Sequence, residues 1–111
     1  MASINRVILV GNLGQDPELR YSEAGVPVCN LSIATNESRK NKEGNVIENV
    51  EWHRAVVFNK QAENCAKYLE KGRSVCIEGK ISTRSYEVDG EKKFVTEIIV
   101  GNIQFLGGAP K

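Results

Sequence analysis

The apolar residues of this chain come in short, β-branched runs broken by turn residues, a pattern of strands. A first run, from about Arg6 to Leu13, stops at Gly14. Asp16-Pro17-Glu18 makes a turn, and Leu19 to Tyr21 has room for a short extra strand. From Val26 to Thr35 the residues Cys29, Leu31, Ile33 and Thr35 alternate with Val28, Asn30, Ser32 and Ala34. Only the first set is strongly apolar, which predicts one buried face. Asn36 to Asn45 contains no apolar residue and reads as a mobile loop carrying Arg39, Lys40 and Lys42. A third strand is predicted over Val46 to Phe58.

One stretch has helical spacing. Ala62, Cys65, Ala66 and Leu69 form a narrow apolar stripe, with Asn59 as the expected N-cap, Lys71 in the last turn and Gly72 as the residue after the C-cap. A fourth strand begins near Arg73 and runs through Tyr86 to Asp89-Gly90, a strong two-residue hairpin signal. A fifth runs from Lys92 to Val100 and on to Leu106. The predicted class is therefore all-β with one short helix. Five strands with a helix between the third and fourth is the connectivity of an OB fold, a partly open Greek-key barrel. The expected layout is one domain over residues 1–106, with 107–111 starting a flexible tail.

Composition narrows the function classes. The 111 residues are 41% apolar and 26% charged, ordinary for a globular domain. The net charge of +1 does not announce a nucleic-acid binder, so any such role depends on where the 15 basic residues sit. Three widely spaced cysteines and no leading apolar segment argue for a reducing, cytoplasmic location. The apolar run Val7 to Val10 is far short of the roughly 20 residues that span a membrane. Cys29, His53, Cys65 and Cys76 lack the close ligand spacing of structural zinc sites, so no metal is expected. No cofactor motif, acid–base pair or nucleophile constellation marks an enzyme.

The informative stretch is Trp52 to Phe58. Alternation puts Trp52, Arg54, Val56 and Phe58 on one face and His53, Ala55 and Val57 on the other. Two aromatics flanking a guanidinium suit single-stranded nucleic acid, because bases stack on rings while the cation meets phosphate or a base plane. Two core aromatics beside an edge charge fit the same pattern. Lys80, Ser82, Arg84 and Tyr86 share a face of the fourth strand, and Lys92, Lys93 and Phe94 lie on the return. This is either a second nucleic-acid contact or an ordinary solvated hairpin.

These residues also carry a family resemblance. The run Asn5-Arg6-Val7-Ile8-Leu9-Val10-Gly11-Asn12-Leu13-Gly14-Gln15-Asp16-Pro17-Glu18-Leu19-Arg20-Tyr21 resembles the opening of bacterial single-stranded DNA-binding proteins. So do Ala34-Thr35, Glu51-Trp52-His53-Arg54, Phe58-Asn59-Lys60, Tyr68-Leu69-Glu70-Lys71-Gly72 and Ile77-Glu78-Gly79-Lys80, in order along the whole chain. The resemblance implies an OB fold, a homotetramer, and sequence-tolerant wrapping of single-stranded DNA in replication, recombination and repair. It implies stacking by Trp52, Phe58 and Tyr86, the last often Trp in the family. A further family Trp falls at or near Arg39, which offers a cation instead. The expected backbone contacts are Arg54, Arg39, Arg20, Lys60, Arg73, Lys80, Arg84 and Lys92, and His53 is expected at a subunit interface. The family's tail ends in an acidic tip that recruits replication and repair proteins. No such tip occurs up to Lys111, so that partner role is not expected of these residues. The alternative is a dimeric replication-restart accessory OB protein. No cofactor and no membrane partner are expected, and the location is cytoplasmic, with the nucleoid.

Overall fold

The structure, a computed structural model, describes residues 1–107. Residues 108–111, most of the expected tail, lie outside the described residues. The elements run β1 (Val7–Leu13), β2 (Glu18–Tyr21), β3 (Pro27–Lys40), β4 (Val46–Phe58), α1 (Asn59–Tyr68), β5 (Ser74–Val88) and β6 (Glu91–Phe105). Strands β1, β5, β6, β4 and β3 follow one another in the sheet, and β1 pairs again with β3, which closes a five-stranded barrel. Strand β2 is added at the edge of β3. Closure rests on two pairs, Asn12 with Ala34 and Leu13 with Ile33. A β-carbon on Gly11 would run into the carbonyl of Ala34, so only glycine lets β1 pass this close to β3.

The alternating inner residues fill the barrel. Leu31, Ile33, Ala55, Val57, Val75, Ile77, Ile98 and Val100 are buried there. Helix α1 lays Ala62 and Cys65 against the same core, and Leu69 follows at its end. The fold class expected from connectivity is the one observed.

Three local expectations are corrected. The segment after Thr35 is not a loop: β3 stays paired with β4 out to Lys40 opposite Val46. Both faces of this hairpin are largely exposed, so it has no apolar alternation to read. Its turn is compact, because Asn41 Oδ1 accepts from the N–H groups of Glu43 and Asn45 at 3.0 and 2.9 Å. At the start of α1, Phe58 occupies the N-cap without a side-chain bond, and Asn59 stands in the first helical position with φ of 64°. Asparagine tolerates this left-handed turn from strand into helix. The helix ends at Tyr68, so Lys71 and Gly72 lie beyond it. Lys71 N–H donates to Asp16 Oδ1 at 2.9 Å and Gly72 N–H to the Leu13 carbonyl at 2.9 Å, which ties the return turn to the end of β1.

Two long hairpins extend beyond the barrel and stretch the molecule to 55 × 37 × 37 Å. The β5–β6 hairpin turns at Asp89-Gly90 as expected, with φ of 53° and 80°, the two positive values a tight primed turn requires.

Candidate nucleic-acid interface

Directly opposed residues in a sheet point to the same side, so the ladders assign every side chain to the barrel interior or its outer surface. His53, Ala55 and Val57 oppose Ile33, Leu31 and Cys29 and face inward. Trp52 opposes Ala34, Arg54 opposes Ser32, and Phe58 opposes Val28, which in turn opposes Arg20. Trp52, Arg54, Phe58 and Arg20 thus share one outer surface across β2, β3 and β4. Val56 belongs to it too, but it is buried between Asn30 and Ile99 on the flanking strands. The reading of Trp52 and Phe58 as core aromatics does not hold, since they are 58% and 36% exposed.

The Trp52 ring has a seat. A β-carbon on Gly14 would collide with ring atoms Cζ3 and Cη2, so the outer edge of the indole's six-membered ring packs on that bare backbone. Beside it runs an open groove of about 310 Å³ lined by Gln15, Glu18, Asn30, Ser32, Trp52 and Arg54. Glycine, asparagine and serine here leave space and hydrogen-bonding groups next to an aromatic platform and a guanidinium.

The same outer side continues onto β5 as Lys80, Ser82, Arg84 and Tyr86, with Tyr86 43% exposed. Arg84 is not a free cation. Its Nε donates to Glu97 Oε1 at 2.9 Å, and Glu97 is the buried charged residue among those described. Arg6 pairs with Glu78. Among the described residues Arg20, Arg54, Lys60 and Lys80 have no ion-pair partner, so their charge is available to an anion.

Other expected site residues are placed elsewhere. Arg39 opposes Ile47 and so points to the side of the β3–β4 hairpin away from Trp52, the side of Glu37 and Glu51. Lys92 opposes Glu87 on the side of the β5–β6 hairpin away from Tyr86. Its Nζ lies 5.8 Å from the Phe94 ring centroid. Lys60 is exposed in the first turn of α1. Arg73 sits at the barrel end, where its carbonyl accepts from Leu13 N–H at 2.9 Å and its Nε is buried without a partner. His53 is half-buried, with Nε2 2.9 Å from Thr35 Oγ1, in a cleft that also holds Val7, Leu9 and Thr96. Gly14, Thr35 and Glu97 are the contributors the sequence reading missed. Glu97 had a signal: a two-residue turn at Asp89-Gly90 sets Arg84 opposite Val95, and Glu97 is then its diagonal neighbour.

Burial pushes the Cys29 thiol up to about 11, with the nearby Glu18 carboxylate adding to the rise and a backbone hydrogen bond at Glu18 opposing it. Burial likewise pushes Cys65 up to about 12, helped by the neighbouring Cys29. Among the described residues no three His, Cys, Asp or Glu side chains gather as a metal-binding group, and no helix is long and apolar enough to cross a membrane.

Comparisons with known proteins place the chain among relatives of the same fold. A Single-stranded DNA-binding protein 1 from Chlorobaculum tepidum is 46% identical over 106 residues, 94% of this chain and 65% of that protein. The chain therefore spans just under two thirds of that relative's length. Among solved structures, a Plasmodium falciparum SSB complex with ssDNA superposes with a TM-score of 0.86 at 31% identity, covering 96% of this chain and 98% of the other. A deletion mutant of the single-stranded DNA binding protein from Thermus aquaticus gives 0.83 at 32% identity, covering 95% and 51%. The match to the Single-strand binding protein family runs over residues 4–106, from before β1 to just past the end of β6. With the closed barrel and the outward aromatic face both in place, the chain belongs to that family.

Proposed function

We propose that this chain binds single-stranded DNA with little regard to sequence, as a binding protein rather than an enzyme. The observation that carries the reading is the Trp52 ring, its outer edge against Gly14 and more than half of it exposed, next to Arg54 and on the same surface as Phe58 and Arg20. Every base has a π-face, so stacking on Trp52 and Phe58 holds a strand without reading it, at about 1–3 kcal/mol per base. Arg20, Arg54, Lys60 and Lys80 meet the phosphates, Tyr86 adds a stacking surface on the β5–β6 hairpin, and Arg73 contributes from the barrel end. The domain is residues 1–106. The similar structure solved with ssDNA supports this reading.

The assembly proposed is a homotetramer in which several barrels wrap one strand, with His53 at or near a subunit contact. Ile8 and Val10 support association: they project from the outer side of β1 and are 61% and 59% exposed in the single chain. The setting is cytoplasmic, in replication, recombination and repair.

Titration with oligo(dT) tests the reading. Trp52 is the only tryptophan, so stacking quenches its emission without ambiguity. Affinity falls with salt, with a slope of about −0.7 per phosphate contacted. Unchanged emission at saturating oligonucleotide, with binding shown by another method, removes Trp52 from the site. Salt-independent binding refutes the phosphate contacts.

A further inference from the structure

We infer that Glu97 is a positioning residue, which holds the Arg84 guanidinium as a fixed fork against the bound strand; the inference rests on the single-stranded DNA reading above. The two partners differ in burial. The Glu97 side chain is 8% exposed and that of Arg84 is 55% exposed. The buried carboxylate takes only the inner edge of the guanidinium, its Nε, through one oxygen at 2.9 Å. Among the described residues neither Nη group has a hydrogen-bond partner, so four N–H donors remain on the exposed side.

The placement of the pair matters as much as its geometry. Arg84 lies on β5 between Lys80 and Tyr86 on the outer side, and Glu97 lines the same cleft as Trp52 and Arg54. A carboxylate on a surface that receives phosphates opposes binding by charge alone. Its position behind an arginine reverses that effect. The bond to Nε removes the rotamer freedom that a long exposed side chain otherwise loses on binding, and a planar guanidinium so held offers paired donors to phosphate oxygens. Arg54, with no ion-pair or side-chain hydrogen-bond partner among the described residues, has no such anchor.

The sign of one substitution separates positioning from plain charge. Glu97→Gln keeps an oxygen acceptor for Nε and removes the negative charge. Glu97→Ala removes both. Oligo(dT) affinity is measured over a salt series for these two, for Arg84→Ala and for the double variant, with thermal unfolding run alongside. Positioning predicts that Glu97→Gln binds as tightly as the unsubstituted protein or tighter. Glu97→Ala binds roughly threefold to tenfold more weakly despite its gain in positive charge, and its salt slope loses about 0.7, the share of one phosphate. Glu97→Ala costs nothing further once Arg84 is alanine. Should Glu97→Ala fail to fold, Arg84→Lys substitutes for it. It keeps the charge but offers one ammonium for both tasks, and a similar fall is expected. Glu97→Ala that tightens binding as much as Glu97→Gln, or Arg84→Lys that binds normally, overturns the inference while leaving strand binding intact. A protein that does not bind oligo(dT) at all overturns the underlying reading as well.

Discussion

Replacing Gly14 with alanine separates binding from folding at one carbon atom. The φ of Gly14 lies outside the left-handed region, so alanine meets no backbone penalty there. It also lowers the freedom of the unfolded chain, a gain of about 0.4–1 kcal/mol where the site accepts it. The three atoms nearest the new methyl all belong to the outer edge of the Trp52 ring, and that ring, 58% exposed, has solvent to swing into. Swinging costs the ring its contact with Gly14, which offsets the gain, so net stability changes by less than about 1 kcal/mol and the unfolding midpoint by a few degrees. Binding responds differently. A displaced indole no longer lines up with Arg54 and Phe58, and part of the stack is lost; the whole stack is worth about 1–3 kcal/mol, or about 5- to 150-fold in affinity. Trp52→Ala sets the ceiling of that loss, and Gly14→Ala should fall between it and the unsubstituted protein. The assays are thermal unfolding followed by circular dichroism and oligo(dT) titration read by anisotropy of a labelled oligonucleotide, so that neither depends on Trp52 emission. Gly14→Ala with normal affinity and unchanged indole emission refutes the seat. Gly14→Ala that unfolds as a core variant would refutes the freedom given to the ring.

Two further outcomes are expected. Light scattering should find a tetramer that His53→Tyr weakens together with DNA binding, because a bulky ring at this half-buried position displaces the Thr35 contact; a monomeric unsubstituted protein ends the assembly proposal, and equally stable tetramers end the role of His53. The two buried thiols titrate higher in the fold than in the unfolded chain, from the ordinary 9.0 to about 11 and about 12, so their contribution to stability is complete below pH 9 and declines as pH rises through 9 toward 12. Alkaline unfolding of Cys29→Ser or Cys65→Ser variants, and thiol labelling that reaches half-buried Cys76 first, check this; labelling of Cys65 in the native protein as fast as Cys76 contradicts the burial.

Short-range pattern was enough for much of this protein. Strand alternation in Cys29-Leu31-Ile33 and in Ala55-Val57 marks the barrel interior, because inner positions must be apolar every second residue. The same alternation places Trp52, Arg54 and Phe58 together, and the Asp89-Gly90 turn sets a hairpin register through its two positive φ values. These properties follow from backbone geometry over a few residues. The resemblance of the motifs to a known family supplied the expected stacking and assembly roles, which alternation alone leaves open.

Other features depend on chain segments that meet only in the fold. The β3–β4 hairpin beyond Thr35 is held by pairing across strands that carry polar residues on both sides, so no hydrophobic period announces it. Parity then turns Arg39 away from Trp52 and Lys92 away from Tyr86, a sorting that counting basic residues cannot make. The seat of Trp52 on Gly14 joins residues from the end of β1 and the middle of β4, brought close by barrel closure at Leu13 and Ile33. Sequence by itself determined the face and the residue types of the site, since both are set by a two-residue period. The tertiary structure alone decided which charges are free, which aromatic is seated and which cation is held, because each of those depends on a contact between distant segments.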